Sequence, residues 1–152
     1  MSAVTTPAFL DVTVPMYAAG SLHPYQPACL WLMSQITAGA LDVAIDTEIV
    51  QEVLHRYGAL RRYAEAVRMA NHLLTLIPHV IPVTEADMRV AVALFQQHAL
   101  HGVPARDLIH AAVMQNHGLT QIISPDTHFD NIAGITQLDP LTLHLQAGQP
   151  TP

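Results

Sequence analysis

Apolar runs too short for helices recur along this chain of 152 residues: roughly Pro7 to Val12, LDVAID over 41–46, PHVIPV ending near Val83, and LTQIIS over 119–124. Their length and β-branched content read as strands. Because apolar residues occupy successive positions, such strands bury both faces, and the segments between them carry apolar residues at helical spacing. Repeated alternation of this kind predicts a mostly parallel sheet covered by helices on both sides. The pattern does not fix the sheet order.

Punctuation divides the helical segments. A short helix begins within Thr13 to Tyr17, and Pro24 and Pro27 open the next, which Gly39 stops and whose apolar face takes in Leu30, Met33 and Trp31 or Ile36. Thr47 is a plausible N-cap for TEIVQEVLHRY, with Ile49, Val50, Val53, Leu54 and Tyr57 on one face. Gly58 marks a break, after which Leu60, Tyr63, Ala64, Val67 and Leu74 form an expected inward stripe. Thr84 and Asp87 resemble a capping box ahead of the series Met88, Val92 and Phe95. Gly102 and Pro104 precede a helix that ends at Gly118, and a last apolar segment runs through ITQLDPLTLHL. Residues 1–145 are expected to form a single domain, and residues 146–152 a flexible C-terminal tail.

Composition narrows the class. Hydrophobic residues make up 51% and charged residues 12%, as in a folded globular protein. Every long apolar stretch is interrupted before it could span a bilayer, and no basic region precedes AFL, so neither membrane insertion nor a secretory leader is expected. Cys29 is the only cysteine, which excludes an internal disulfide framework; a core role for it and a cytoplasmic location follow by default. The net charge of -6 argues against a surface that grips nucleic acid everywhere. Even so, Arg56, Arg61, Arg62 and Arg68 lie close together and form a candidate phosphate-contact patch, with a solvated helix surface as the alternative. Low charge with many apolar residues also suggests a face covered by another subunit.

Four acids fall where apolar segments stop or helices open: Asp11, Glu52, Asp107 and Asp126. Ligand sites in open parallel sheets gather beyond the carboxyl ends of the strands, where these acids can meet. Clustered carboxylates repel one another, and Mg²⁺, or Mn²⁺, relieves that cost through hard oxygen ligands. Asp11, Asp107 and Asp126 are the preferred ligands, and Glu52 either binds directly or holds an outer water. The set favours hydrolysis of a phosphodiester by an activated water. His110 is a candidate for orienting Asp107, and His128 for phosphate contact, though packing and turn roles are the plainer readings. The ten histidines form no zinc motif, and no phosphate-binding glycine loop is present.

FLDVT, TEIVQEVLHRY, ARDLIHAAVMQNHG and SPDTHFD together resemble, in order and spacing, the motifs of PIN-domain ribonucleases, especially VapC-like toxins of type II toxin–antitoxin systems. The resemblance spans about residues 8–140. It implies a three-layer α/β/α sandwich with a central, mostly parallel sheet and a metal-dependent endoribonuclease site. Asp11, Glu52, Asp107 and Asp126 match the acidic positions, Ser124 the small hydroxyl before the last acid, and Asp130 an accessory acid. It also implies an RNA substrate, a homodimer and an inhibiting antitoxin protein. Thr13 departs from the usual DxN, keeping a hydroxyl where an amide is common. A non-catalytic oligomeric or protein-binding module, and an RNA-processing nuclease outside a toxin system, are the competing readings.

Overall fold

The runs read as strands do form strands, none longer than four residues, in a computed structural model that describes residues 5–149. In chain order the elements are β1 (Ala8–Leu10), α1 (Thr13–Ala19), α2 (Gln26–Thr37), β2 (Val43–Asp46), α3 (Thr47–Ala59), α4 (Tyr63–Leu76) and β3 (His79–Ile81). They continue with α5 (Glu85–His98), α6 (Ala105–Asn116), β4 (Gln121–Ile123), β5 (Thr136–Leu138) and α7 (Pro140–Ala147), and 3-10 turns cover Ala99–His101 and Thr127–Asn131. ITQLDPLTLHL therefore divides at Asp139, whose side chain accepts from the Leu141 amide and caps α7. Gln146 and Ala147 belong to that helix, whereas residues 150–152 of the expected tail lie outside the described residues.

All pairings are parallel and the strand order is β3-β2-β1-β4-β5. The chain builds outward from β1 through β2 to β3, then crosses to the other side of β1 for β4 and β5. The boundary between β1 and β4 is thus the topological switch point, where a parallel sheet leaves a crevice at the strand ends. Leu10 pairs with Ile123, and the Asp11 amide donates to the Ile123 carbonyl at 3.1 Å, which sets Asp11 level with Ser124.

Helices cover the sheet, with α1 packed on α2, α2 on α7, α3 on α4 and α5 on α6. The result is the expected α/β sandwich. Phe9, Leu10, Ile45, Ile122 and Ile123 are fully buried strand residues, sealed by Leu32, Ile49, Leu73, Leu108 and Met114. Each such side chain contributes about 1.5–3 kcal/mol through burial. Cys29 is buried in α2, and desolvation pushes its thiol up to about 12, consistent with a core role.

Several helix faces differ from the sequence expectation. In α4 the buried residues are Ala66, Ala70 and Leu73, while Leu60, Tyr63, Ala64, Val67 and Leu74 are exposed. In α5, Ala91 and Leu94 are buried and Met88, Val92 and Phe95 face outward; Leu30 of α2 and Leu54 of α3 are also exposed. Small alanines let α4 and α5 approach their neighbours closely, and the bulkier apolar residues are turned away from the core. Asp46 rather than Thr47 caps α3, and Gly58 lies within that helix. The chain breaks instead at Arg61, which adopts φ 58°.

The capping box at α5 is present: Thr84 accepts from the Asp87 amide, and Asp87 accepts from the Thr84 amide at 2.9 Å. Asp87 also accepts from Asn116 at 2.8 Å, tying the start of α5 to the end of α6. Burial alone would raise the Asp87 pKa, but these bonds lower it below the usual carboxylate value. Asp87→Ala should therefore cost about 2 kcal/mol, measured as a lowered urea midpoint. The wild-type advantage over this variant should shrink as pH falls through the lowered pKa.

Candidate active site

Asp11 and Asp126 follow adjacent strands at the switch point, and their spacing is fixed by hydroxyls. Ser124, fully buried, donates through Oγ to Asp11 Oδ2 at 2.6 Å, and the Asp126 amide donates to the same Oγ at 3.0 Å. Thr13 adds a second hydroxyl bond to Asp11 Oδ2 at 3.0 Å. The departure from DxN thus retains a donor to the first acid. Both bonds fall on one oxygen, so Asp11 Oδ1 has no protein donor among the described residues.

Asp107 enters from the first turn of α6, where unpaired backbone amides favour a carboxylate. It is buried, and desolvation followed by repulsion from Asp11 raises its pKa to about 6, with Asp126 and Glu52 adding to the rise and His110 opposing it. His128 stands at the mouth, its Nε2 2.7 Å from Asp126 Oδ2 and 3.9 Å from Asp107 Oδ2. Ligand atoms of Asp107, Asp126 and His128 lie within 4.8 Å of one another. Such a cluster can coordinate a metal ion, its two carboxylates supplying hard oxygen ligands and His128 an imidazole nitrogen. The donor set therefore fits a divalent cation.

Glu52 is close enough to raise Asp107 but is held from behind. His110, fully buried in α6, places Nδ1 2.8 Å from Asp46 Oδ2 and Nε2 2.5 Å from Glu52 Oε1. Two carboxylates on two ring nitrogens call for the doubly protonated ring. Desolvation lowers the His110 pKa, yet the bonds to Asp46 and Glu52 outweigh it and bring it up to about 10. Burial likewise works against the Glu52 carboxylate, but His110, Arg56 and Arg106 together lower its pKa. The other oxygen, Oε2, lies 3.3 Å from Arg56 and 3.6 Å from Arg106.

The remaining expected residues are dispersed. Asp130 is exposed and accepts from the Gln137 amide at 2.9 Å, bracing the last strand. Arg62 pairs with Glu65 and lies over the Tyr57 ring, Arg68 borders a groove with Glu65 and His72, and Arg61 occupies the turn. Arg56 stands apart from them on Glu52. Asp46 and Arg106 escaped the sequence reading. Asp46 looked like the end of a strand, although Asp before Thr-Glu-Ile is also a cap signal, and Arg106 had only its adjacency to Asp107.

A family model described as "PIN domain" matches residues 8–135. The chain belongs to the PIN-domain family. Within it, Ribonuclease VapC13 of Mycobacterium tuberculosis is 34% identical over 131 residues, covering 85% of this chain and 97% of that protein. Ribonuclease VapC7 of the same organism is 26% identical, covering 86% and 90%. This PIN domain is thus closely related to the VapC ribonucleases. Among solved structures, Mycobacterium tuberculosis VapC20, described as a Sarcin-Ricin loop cleaving toxin, superposes with a TM-score of 0.72 at 18% identity, covering 86% of this chain and 98% of that one. Neisseria gonorrhoeae FitAcB gives 0.66 at 20% identity, covering 88% and 98%, and at these identities the likeness concerns the fold.

His110 should contribute stability that is complete below the ordinary imidazole pKa of 6.5 and lost progressively as pH rises through about 10. His110→Ala, which leaves two carboxylates buried beside each other, should lose about 3–5 kcal/mol near neutral pH. Urea midpoints across that pH range check both, and a flat wild-type profile would contradict the arrangement. Asp107 has the opposite consequence near neutral pH. Its raised pKa makes the ionised form costly above about 6, so Asp107→Asn should stabilise the metal-free protein by roughly 1–3 kcal/mol at neutral pH, read as an increased Tm.

Proposed function

We propose that this PIN domain is a metal-dependent endoribonuclease that hydrolyses RNA phosphodiester bonds with Mg²⁺, or Mn²⁺, and serves as the toxin of a toxin–antitoxin pair. The observation that carries this reading is the cluster of Asp107, Asp126 and His128 ligand atoms within 4.8 Å of one another at the switch point, where burial and then repulsion from Asp11 raise the Asp107 pKa to about 6. Relationship to VapC ribonucleases over most of both chains supports it.

In this reading Asp11, Asp107 and Asp126 hold the cation, with His128 able to complete the set. A divalent ion bound there supplies charge neutralisation at phosphorus and a water acidic enough to attack it. Ser124 and Thr13 fix Asp11 through Oδ2 and leave Oδ1 for ligation. His110 and the two arginines keep Glu52 ionised and directed toward the acid cluster, which suits it to orienting an outer water. Asp130 serves in bracing the loop that carries Asp126.

Residues 1–145 act as the functional unit, in the cytoplasm; no helix among the described residues is long and apolar enough to cross a membrane. Exposed Met88, Val92 and Phe95 on α5, and Tyr63, Val67 and Leu74 on α4, support a homodimer and an antitoxin as partners for these faces. Structural neighbours include a toxin–antitoxin complex from Klebsiella pneumoniae and VapBC from Salmonella typhimurium bound to DNA.

Purified protein incubated with varied RNAs should cut internally with Mg²⁺ or Mn²⁺ and lose activity when metal is removed. Asp107→Asn should lower cleavage by about 100-fold or more, corresponding to roughly 3 kcal/mol of transition-state stabilisation. Metal should raise the wild-type Tm but not that of Asp107→Asn. Equal cleavage by both proteins, or cleavage that survives metal removal, would exclude this mechanism.

A further inference from the structure

We infer that Arg56 and Arg106 form a two-pronged clamp for an RNA phosphate adjoining the scissile one, beside a groove that receives the neighbouring nucleotide. The inference rests on the endoribonuclease reading and adds a binding position to it. Arg56 from α3 and Arg106 from α6 converge on one atom, Glu52 Oε2, at 3.3 and 3.6 Å. The other Glu52 oxygen already faces His110, whose second nitrogen faces Asp46. Three cationic groups thus surround Asp46 and Glu52, with the Glu48 carboxylate also near Arg106, and the two guanidiniums form the solvent end of the group.

Both guanidiniums reach solvent. Arg56 is 34% exposed and Arg106 38%, whereas the Glu52 side chain between them is 1% exposed. Each directs a single nitrogen at Glu52, and neither makes another side-chain hydrogen bond among the described residues. A guanidinium carries five N–H donors, so each retains several for phosphate oxygens. Arg62 and Arg89 differ, being paired with exposed glutamates of their own helices.

A groove of about 300 Å³ opens beside Arg106, which lines it together with Glu48, Gln51 and His55 of α3 and Pro104 and Ala105. Gln51 and His55 are one turn apart and exposed, offering an amide and an imidazole to base or sugar edges. Electrostatics explains why such a clamp is needed. A chain of net charge -6 with an acid cluster at its site repels a polyanion, and these two arginines supply positive charge at its border. Arg106 stands next to Asp107 in the first turn of α6, which brings its charge to the edge of the acid cluster.

The test measures binding of a short fluorescein-labelled single-stranded RNA by anisotropy, in the Asp107→Asn background with Mn²⁺ present, across a salt series. Cleavage kinetics are measured in the wild-type background. Arg56→Gln and Arg106→Gln should each weaken binding about 10-fold, and each should reduce the slope of log affinity against log salt by about 0.7, the increment for one single-strand phosphate contact. KM should rise by a similar factor, over and above any fall in kcat from weaker support of Glu52, and Arg→Lys at either position should restore part of the affinity. Arg89→Gln should match wild type.

Unchanged affinity and salt slope, with a fall confined to kcat, would overturn the clamp and leave the arginines as supports for Glu52. An absence of measurable RNA binding would overturn it too. Arginine-dependent binding in a protein that cuts no RNA would retain the clamp and remove the nuclease reading; cleavage with arginine-independent binding would do the reverse. Should a glutamine variant fail to fold, as seen by its melting profile, the Lys variants decide: weaker binding than wild type with the melting profile intact supports the clamp, and equal binding with an equal salt slope refutes it.

Discussion

Repulsion between carboxylates is the constraint around which this fold is arranged. Parallel strands in the order β3-β2-β1-β4-β5 bring the chain after β1 and the chain after β4 to one crevice, and both carry aspartate there. α6 then inserts Asp107 between them with little access to water. A hydrophobic core buries these acids together despite their charge, and the Asp107 pKa rises through desolvation first and repulsion from Asp11 second. The fold stores an unfavourable charge arrangement that a bound cation would relieve, and the same burial that stabilises the sheet creates it.

Glu52 is handled by a different device. Asp11 is oriented by hydroxyls and Asp126 by a backbone amide, whereas Glu52 is surrounded by cations on both oxygens. That difference sets Glu52 apart from the other three acids of the family motif. It also gives Arg56 and Arg106 positions at the border of the site that their sequence neighbours do not share.

Strands, sheet type and the acidic motif were legible because strict physical rules govern them. A strand buried on both faces must be apolar throughout, and the acids stand where such runs stop. Ser124 and Thr13 were legible through the family motif, and the capping box at Thr84 and Asp87 through local spacing alone. Helix orientation was not. α4 and α5 each carry two apolar stripes, one of alanine and leucine and one of bulkier residues, at offsets that periodicity cannot rank. The core took Ala66, Ala70, Ala91 and Leu94 because close helix packing favours small side chains, and Val67, Val92 and Phe95 were left outside. His110 meets Asp46 and Glu52, and Arg106 meets Glu52, only through tertiary packing, across sequence separations that no motif spans.

Asp46 joins folding to chemistry in a single side chain. Its Oδ1 accepts from the Ile49 amide and starts α3, while Oδ2 holds His110 and, through it, Glu52. The helix register and the orientation of the acid are thus determined at one point rather than two. A small slip of α3 along its axis would displace the acid and its tether together, so the geometry at Glu52 is inherited from the act of folding and has little freedom to be adjusted afterwards.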